Sequence, residues 1–219
     1  MERVFHSRLK LDVSVEKDTI HVSDEEESEI RDFVASFTLR ERMVELCNAW
    51  NGYIKLRDQE EIKYAMMLQA VGSPQTDFGH RTATHIMIAG DPGTAKTLLL
   101  QSMLKLRPAS RYLDASGATP AGLSAAAEHI EDFYTGKKRW GLRPGIIPLT
   151  PRDSVCCIDE LNLYKHGFGD INTALESGKV YKTTGPVKGI LDAPAAILAG
   201  ANPMACLLYT SDAADEKVR

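Results

Sequence analysis

The sequence predicts an α/β protein whose parallel β-sheet is covered by helices on both faces. Three observations carry this. Apolar runs at 85–89, 155–158 and 195–200 have the composition of buried strands. Stretches with helical spacing of apolar residues, at 40–71 and 96–106, precede and separate them. Strands alternating with helices form parallel sheets with a layer on each side. At ~100–200 residues per domain, 219 residues give one such domain and a short extra segment. With 43% hydrophobic and 26% charged side chains, there is ample material for a core.

The net charge of −4 excludes a globally basic nucleic-acid binder, so any such contact must rest on local basic patches. No stretch is apolar enough to span a bilayer, and the start, MERVFHSRLK, lacks the apolar core of a signal peptide. A cytoplasmic protein that does not engage membranes is expected. Cys47, Cys156, Cys157 and Cys206 show no paired spacing and no companion histidines, so a zinc site is not expected. Cys156 and Cys157 are adjacent in a strand, point to opposite faces and serve as small core hydrophobes.

From the N-terminus, residues 1–22 alternate apolar and polar side chains (Leu9, Leu11, Val13, Val15) and predict one or two short strands. Ser23 or Asp24 caps a following helix whose acidic first turn suits the helix dipole. Within 40–71, Ile62, Ala65, Met66, Gln69 and Ala70 recur at helical spacing, which assigns Met66 and Met67 to core packing. Residues 72–82 are turn-rich and form a linker. Beyond the first buried strand, the helix Lys96–Leu106 ends at Pro108, and Arg111–Leu113 makes a short strand.

Between the first buried strand and its helix lies Gly90-Asp91-Pro92-Gly93-Thr94-Ala95-Lys96-Thr97. A glycine-rich turn from strand to helix is the setting of a phosphate-binding loop, where successive backbone N–H groups curl around phosphates at the positive end of a helix. Lys96 would reach the β- and γ-phosphates, and the Thr97 hydroxyl would ligate Mg²⁺. Ala95 departs from the general pattern, which has glycine before the lysine. The run Val155-Cys156-Cys157-Ile158 ends in Asp159-Glu160, so both carboxylates reach the C-terminal edge of the sheet. There Asp159 would hold Mg²⁺ through water and Glu160 would polarise the attacking water. Asn202, closing the run Ile197–Ala201, would position that water or sense the γ-phosphate, as the sensor-1 asparagine of AAA+ proteins does.

The form GDPGTAK, the stretch Ser116–Ala125, and the order from Val155–Glu160 through a helix ending at Ala174-Leu175-Glu176 to ILAGANP resemble the MCM family of AAA+ replicative DNA helicases. The resemblance runs over about 1–205 and is strongest over 85–205. It implies a P-loop NTPase (AAA+) three-layer sandwich with β-hairpin inserts, ending before the C-terminal helical lid. It implies ATP and Mg²⁺ as cofactors, Lys96, Glu160 and Asn202 as catalytic residues, Gly90–Thr97 as the nucleotide loop, and Thr97 and Asp159 as metal residues. Its expected partners are single-stranded or forked DNA and further copies in a homo-hexameric ring, with a nucleoid-associated or nuclear location depending on host. An arginine from a neighbouring subunit would complete the site, so the isolated chain should hydrolyse ATP poorly.

Two hairpins are implied at the central channel. The helix-2 insert, 128–148, carries Lys137, Lys138, Arg139 and Trp140 near a turn at Thr135–Gly136, and the pre-sensor-1 hairpin, Lys179–Leu191, carries Lys182 and Lys188. These cations and the tryptophan are the candidate DNA contacts. Aligned without gaps, the family's hairpin-tip lysine falls on Thr184. The acidic pair continues as Leu161-Asn162-Leu163 where the family has Phe-Asp-Lys, which alters a neighbouring polar contact. The expected organisation is a linker over 1–38, an ATPase core over 39–205 and a tail over 206–219 that resembles a translated sequencing adapter. The alternatives are a MoxR- or chelatase-type ATPase that remodels proteins, and a nucleotide-binding accessory without catalysis.

Overall fold

The computed structural model describes residues 23–38, 41–42, 45–46, 60–72, 83–107, 109–131, 136, 138–184 and 187–203. The expected N-terminal strands, most of the 40–59 part of the expected 40–71 helical stretch, residues 73–82 of the expected 72–82 linker, Pro108 and the tail lie outside the described residues. Among the described residues the sheet has four strands: β1 (Ile86–Ala89), β2 (Arg111–Asp114), β5 (Val155–Asp159) and β8 (Ala196–Ala201). Their order is β1-β8-β5-β2 and every pair is parallel, with Ile86 opposite Leu198, Val155 opposite Ala196 and Tyr112 opposite Cys157. This is the α/β P-loop architecture, with antiparallel hairpins added.

Ahead of the sheet, helix α1 (Asp24–Ser36) is capped by Ser23. The Ser23 hydroxyl accepts from the Glu26 N–H at 3.2 Å, while the Glu26 carboxylate accepts from the Ser23 N–H at 2.8 Å, a reciprocal cap. The helix buries none of its residues.

Alternation along the buried strands sends side chains into two separate apolar layers. Helix α2 (Glu60–Val71) and helix α3 (Lys96–Leu106) cover one face, where Met66, Leu99, Leu100 and Met103 pack on Val155, Cys157 and Leu198. Met66 and Met67 are both buried, as their helical spacing predicts. The Gln69 side-chain amide, also buried, fastens α2 to the sheet by donating to the Thr84 carbonyl at 2.8 Å and the Ile197 carbonyl at 3.0 Å. The other face collects Cys156, Ile158 and Ile197 with Ala115, Leu123, Ile147, Ile171 and Val180. Cys156 and Cys157 therefore enter opposite layers. Burial pushes both thiols up to about 12, so they stay protonated. Burying one Leu or Ile contributes about 1.5–3 kcal/mol, so each layer is a substantial anchor for what it carries.

The second layer carries both hairpins. After helix α4 (Pro120–Leu123), β3 (Ala125–Glu131) pairs with β4 (Lys138–Pro144), from Ala125 opposite Pro144 to Glu131 opposite Lys138. This is the expected helix-2 insert, opening slightly earlier and closing at Pro144. Helix α5 (Ile146–Leu149) leads to β5, and helix α6 (Gly169–Ser177) leads to β6 (Lys179–Thr184), which pairs with β7 (Val187–Asp192). The second hairpin matches the expected Lys179–Leu191, and Thr184 is the last paired residue of β6. The hairpins touch one another: a Cβ added to Gly189 of β7 would lie 2.6 Å from Leu142 Cδ1 of β4. A glycine is what permits that approach.

Candidate nucleotide site

The loop from β1 into α3 is anchored at its start, where the Gly90 N–H donates to the Ala201 carbonyl at 3.2 Å. At its end Ala95 adopts the left-handed conformation, φ 61° and ψ 22°. A side chain there costs roughly 1–2 kcal/mol, which explains why the general pattern has glycine at this place. No side chain caps α3, so its first N–H groups stay available to an anion. Lys96 is buried, and its ammonium donates to the Gly90 and Asp91 carbonyls at 2.7 Å each and to Thr94 Oγ1 at 3.3 Å. Thr94 Oγ1 itself donates to the Asp91 carbonyl at 2.8 Å. The lysine thus lies folded onto the loop it serves. Thr97 is exposed in the first turn of α3.

At the same edge β5 ends in Asp159, which is only 3% exposed. Asp159 Oδ1 accepts from the Glu160 N–H at 2.9 Å and Oδ2 accepts from the Tyr112 hydroxyl at 3.0 Å. Burial, with the hydrogen bond to Asp159 behind it, pushes the Tyr112 phenol up to about 12. Glu160 then reverses the chain into a short 3₁₀ turn, Leu161–Leu163, with φ 50° and ψ 39°. Ala95 and Glu160 are the two non-glycine residues with positive φ among the described residues, and both sit at this edge. Strain of this kind persists where the surroundings over-determine a residue, and it gathers at functional sites.

The end of β8 holds Glu160 in place. Asn202 Nδ2 donates to Glu160 Oε2 at 3.0 Å and to Oε1 at 3.3 Å. Its backbone N–H donates to Asn162 Oδ1 at 2.8 Å, so the altered polar contact noted in the sequence is a tether for Asn202. Asn202 Oδ1 is buried without a hydrogen-bond partner. A Cβ on Gly200 would lie 2.7 Å from Asp159 Oδ1, so only glycine leaves room for that carboxylate. Sequence reasoning assigned no role to Tyr112, Asn162 or Gly200. Asn162 carried a signal, its departure from the family's acid; Tyr112 and Gly200 carried none beyond their place on strands.

The structure brings Lys96, Asp159, Glu160 and Asn202 to one sheet edge and spreads the candidate DNA contacts over the hairpins. Lys138 and Arg139 are exposed on β4, and Lys188 is exposed on β7. Trp140 is 47% exposed and its ring lies 3.8 Å from that of His129, directly across the ladder. Lys137 and Thr135 lie outside the described residues. Lys182 departs from the expectation of an outward cation. Its ammonium points inward and donates to Asp170 Oδ2 at 2.6 Å and to Ser124 Oγ at 3.1 Å, leaving the side chain 18% exposed. The physical reason is parity on the hairpin: Val180 and Lys182 share the face turned to α6, and the Asp170 carboxylate waits there. Among the described residues no helix is long and apolar enough to cross a membrane.

Known proteins resemble the chain along most of its length. The model of the MCM P-loop domain matches residues 36–218. An uncharacterized MCM-type protein of Methanocaldococcus jannaschii is 31% identical over 149 residues, covering 68% of this chain and 21% of that protein. The minichromosome maintenance protein MCM of Saccharolobus solfataricus is 30% identical over 190 residues, covering 85% of this chain and 26% of that protein. DNA replication licensing factor mcm4-B of Xenopus laevis is 29% identical over 154 residues, covering 67% and 17%. The chain spans about a fifth of the length of these relatives, between 17% and 26%.

Proposed function

The chain belongs to the MCM family, and on that premise we propose that it is the ATP-binding and ATP-hydrolysing core of a hexameric DNA helicase motor. The observation that carries this reading is the convergence of the Lys96 loop, Asp159, Glu160 and Asn202 on one sheet edge, with Asn202 touching the Glu160 carboxylate at 3.0 Å. On this reading the ATPase core covers 39–205, after a linker over 1–38.

The donors at this edge fit a magnesium nucleotide. Asp159 and Thr97 offer oxygen alone, and no group of three or more His, Cys, Asp and Glu side chains gathers among the described residues. That set suits a hard cation that takes few protein ligands and shares the rest with phosphates and water. Bound there, Mg²⁺ would neutralise charge on the phosphates. Lys96 exchanges the loop carbonyls for β- and γ-phosphate oxygens, and the free N–H groups of α3 face the same anion. Glu160 polarises the attacking water, and the unpartnered Asn202 Oδ1 accepts a hydrogen bond from it. An arginine from the neighbouring subunit completes the charge stabilisation. Lys138, Arg139 and Lys188, with Lys137, contact phosphates of single-stranded or forked DNA, and Trp140 offers a stacking face.

Turnover of ATP by the intact protein, measured with and without single-stranded DNA, tests the reading. DNA should stimulate turnover, Glu160→Gln should abolish it while ATP binding persists, and the 219-residue chain alone should bind ATP but turn it over poorly. Turnover indifferent to DNA would instead fit an ATPase that remodels proteins. An intact activity in Glu160→Gln would leave a nucleotide-binding accessory.

A further inference from the structure

We infer that Tyr112 is a positioning residue for the metal side of this site: its hydroxyl fixes the rotation of the Asp159 carboxylate, and so sets how tightly the nucleotide-bound cation is held. The inference rests on the nucleotide reading above, and it names a residue that lies outside every nucleotide motif in the sequence. The geometry begins with register. Tyr112 lies opposite Cys157 on neighbouring parallel strands, two places before the end of β5. Its ring packs with the layer formed by α2 and α3, and its hydroxyl reaches forward to the strand end, donating to Asp159 Oδ2 at 3.0 Å.

The other oxygen is fixed as firmly. Asp159 Oδ1 accepts from the Glu160 N–H at 2.9 Å and rests against Gly200, where an added Cβ would come within 2.7 Å. A carboxylate accepts about four hydrogen bonds, two on each oxygen. One donor on each oxygen leaves each a free lone pair, and both are aimed by the donors already in place. Those lone pairs are what a cation or its waters would meet. Without the Tyr112 hydroxyl, Oδ2 loses the donor that resists rotation about the Cβ–Cγ bond, while Asp159 stays buried at 3% exposure. Groups that orient a ligating carboxylate typically change metal affinity by about 10–100-fold when removed.

The same tyrosine reaches the water-polarising residue through one intermediate. The Asp159 carboxylate that it orients also holds the backbone N–H of Glu160, one of the two non-glycine residues with positive φ among the described residues. Tyr112, Asp159, Glu160 and Asn202 thus form a continuous hydrogen-bonded chain across β2, β5 and β8.

The test is made on the 219-residue chain, with Mn²⁺ as the probe and its binding to the protein–ATP complex followed by electron paramagnetic resonance. ATP affinity is measured separately in EDTA. Tyr112→Phe should weaken Mn²⁺ binding about ten-fold, leave metal-free ATP affinity unchanged and melt close to the parent chain. Asp159→Asn should weaken Mn²⁺ binding further. Gly200→Ala, which crowds Oδ1 from the opposite side, should weaken it as well and serves should Tyr112→Phe fail to fold. Unchanged Mn²⁺ affinity in a folded Tyr112→Phe chain, with the loss in Asp159→Asn intact, overturns the positioning role and leaves the nucleotide reading standing. A parallel drop in metal-free ATP affinity reduces Tyr112 to a packing residue and also overturns it. No effect of Asp159→Asn overturns the nucleotide reading itself.

Discussion

At the C-terminal edge of the sheet, Lys96, Asp159, Glu160 and Asn202 all have protein partners within 3.3 Å. Along the hairpins, Lys138, Arg139 and Lys188 stand exposed, whereas Lys182, paired with Asp170 at 2.6 Å, is turned away from solvent. The edge is held rigidly by short polar contacts and tolerates backbone strain at Ala95 and Glu160. The hairpins are regular ladders that carry charge outward. An arrangement in which every group is fixed suits a reaction that depends on alignment. Exposed cations on a ladder suit a polyanion recognised through its phosphates, where position matters less than charge. The contrast teaches that charge alone does not mark a binding residue, since Lys182 and Lys188 lie on the same hairpin and face opposite ways.

That contrast can be broken most easily at the exposed cations. Replacing Lys138, Arg139 and Lys188 together by alanine in the intact protein should lower affinity for single-stranded DNA by about 10-fold or more at moderate salt. It should also flatten the dependence on log salt by roughly 0.7 per lost contact. ATP affinity should not move. Unchanged DNA binding would end the assignment of the hairpins to a polyanion.

A smaller effect is expected at Lys182. Lys182→Met should cost about 1–2 kcal/mol of stability at neutral pH, because it leaves Asp170 with the Ser124 hydroxyl as its remaining side-chain donor and takes the donor away from Ser124 Oγ. Burial works to raise the Asp170 pKa, but the hydrogen bonds from Lys182 and Ser124 outweigh it and hold the carboxyl below its ordinary value. A lowered folded-state pKa stabilises above the unfolded value of about 4 and is lost as pH falls through the folded one. Urea melts of the two chains should therefore converge on acidification. Equal stability at pH 7 would place Lys182 among the outward cations after all.

The smallest change sharpens the other side of the comparison. Ala95→Gly relieves a left-handed conformation worth roughly 1–2 kcal/mol, against about 0.5–1 kcal/mol of extra chain entropy in the unfolded state. A net gain below about 1 kcal/mol with ATP binding retained is expected from thermal melts. A clear loss of stability would show that Ala95 does not adopt this turn in solution.

Much of the sheet and its edge was legible in the sequence because each motif is contiguous. A strand, a turn and a helix start follow one another from Ile86 to Thr97, and strand and acid pair follow one another from Val155 to Glu160. Local patterning is enough to read such segments. The remainder depends on partners far apart in the chain: Tyr112 and Asp159 are separated by 47 residues, and Lys182 and Ser124 by 58. Which lysine of a hairpin turns inward is fixed by the register of β6 against α6 and by where Asp170 falls, and neither follows from hairpin composition. Asn162 lies between these cases. Its departure from the family pattern was visible, but only the fold shows that its amide oxygen holds the Asn202 backbone.

The adjacent thiols of β5 have a further consequence. Cys157 belongs to the layer that seats α3 and the Lys96 loop, and Cys156 to the layer that holds Leu123, just ahead of β3, and Val180 and Leu191 of the second hairpin. The sheet thus separates the layer behind the Lys96 loop from the layer behind the hairpins, and neighbouring residues of β5 pack one into each. A rearrangement shared by the two layers therefore has to pass through β5 or around its end, where Asp159, Glu160, Asn162 and Asn202 are joined by hydrogen bonds.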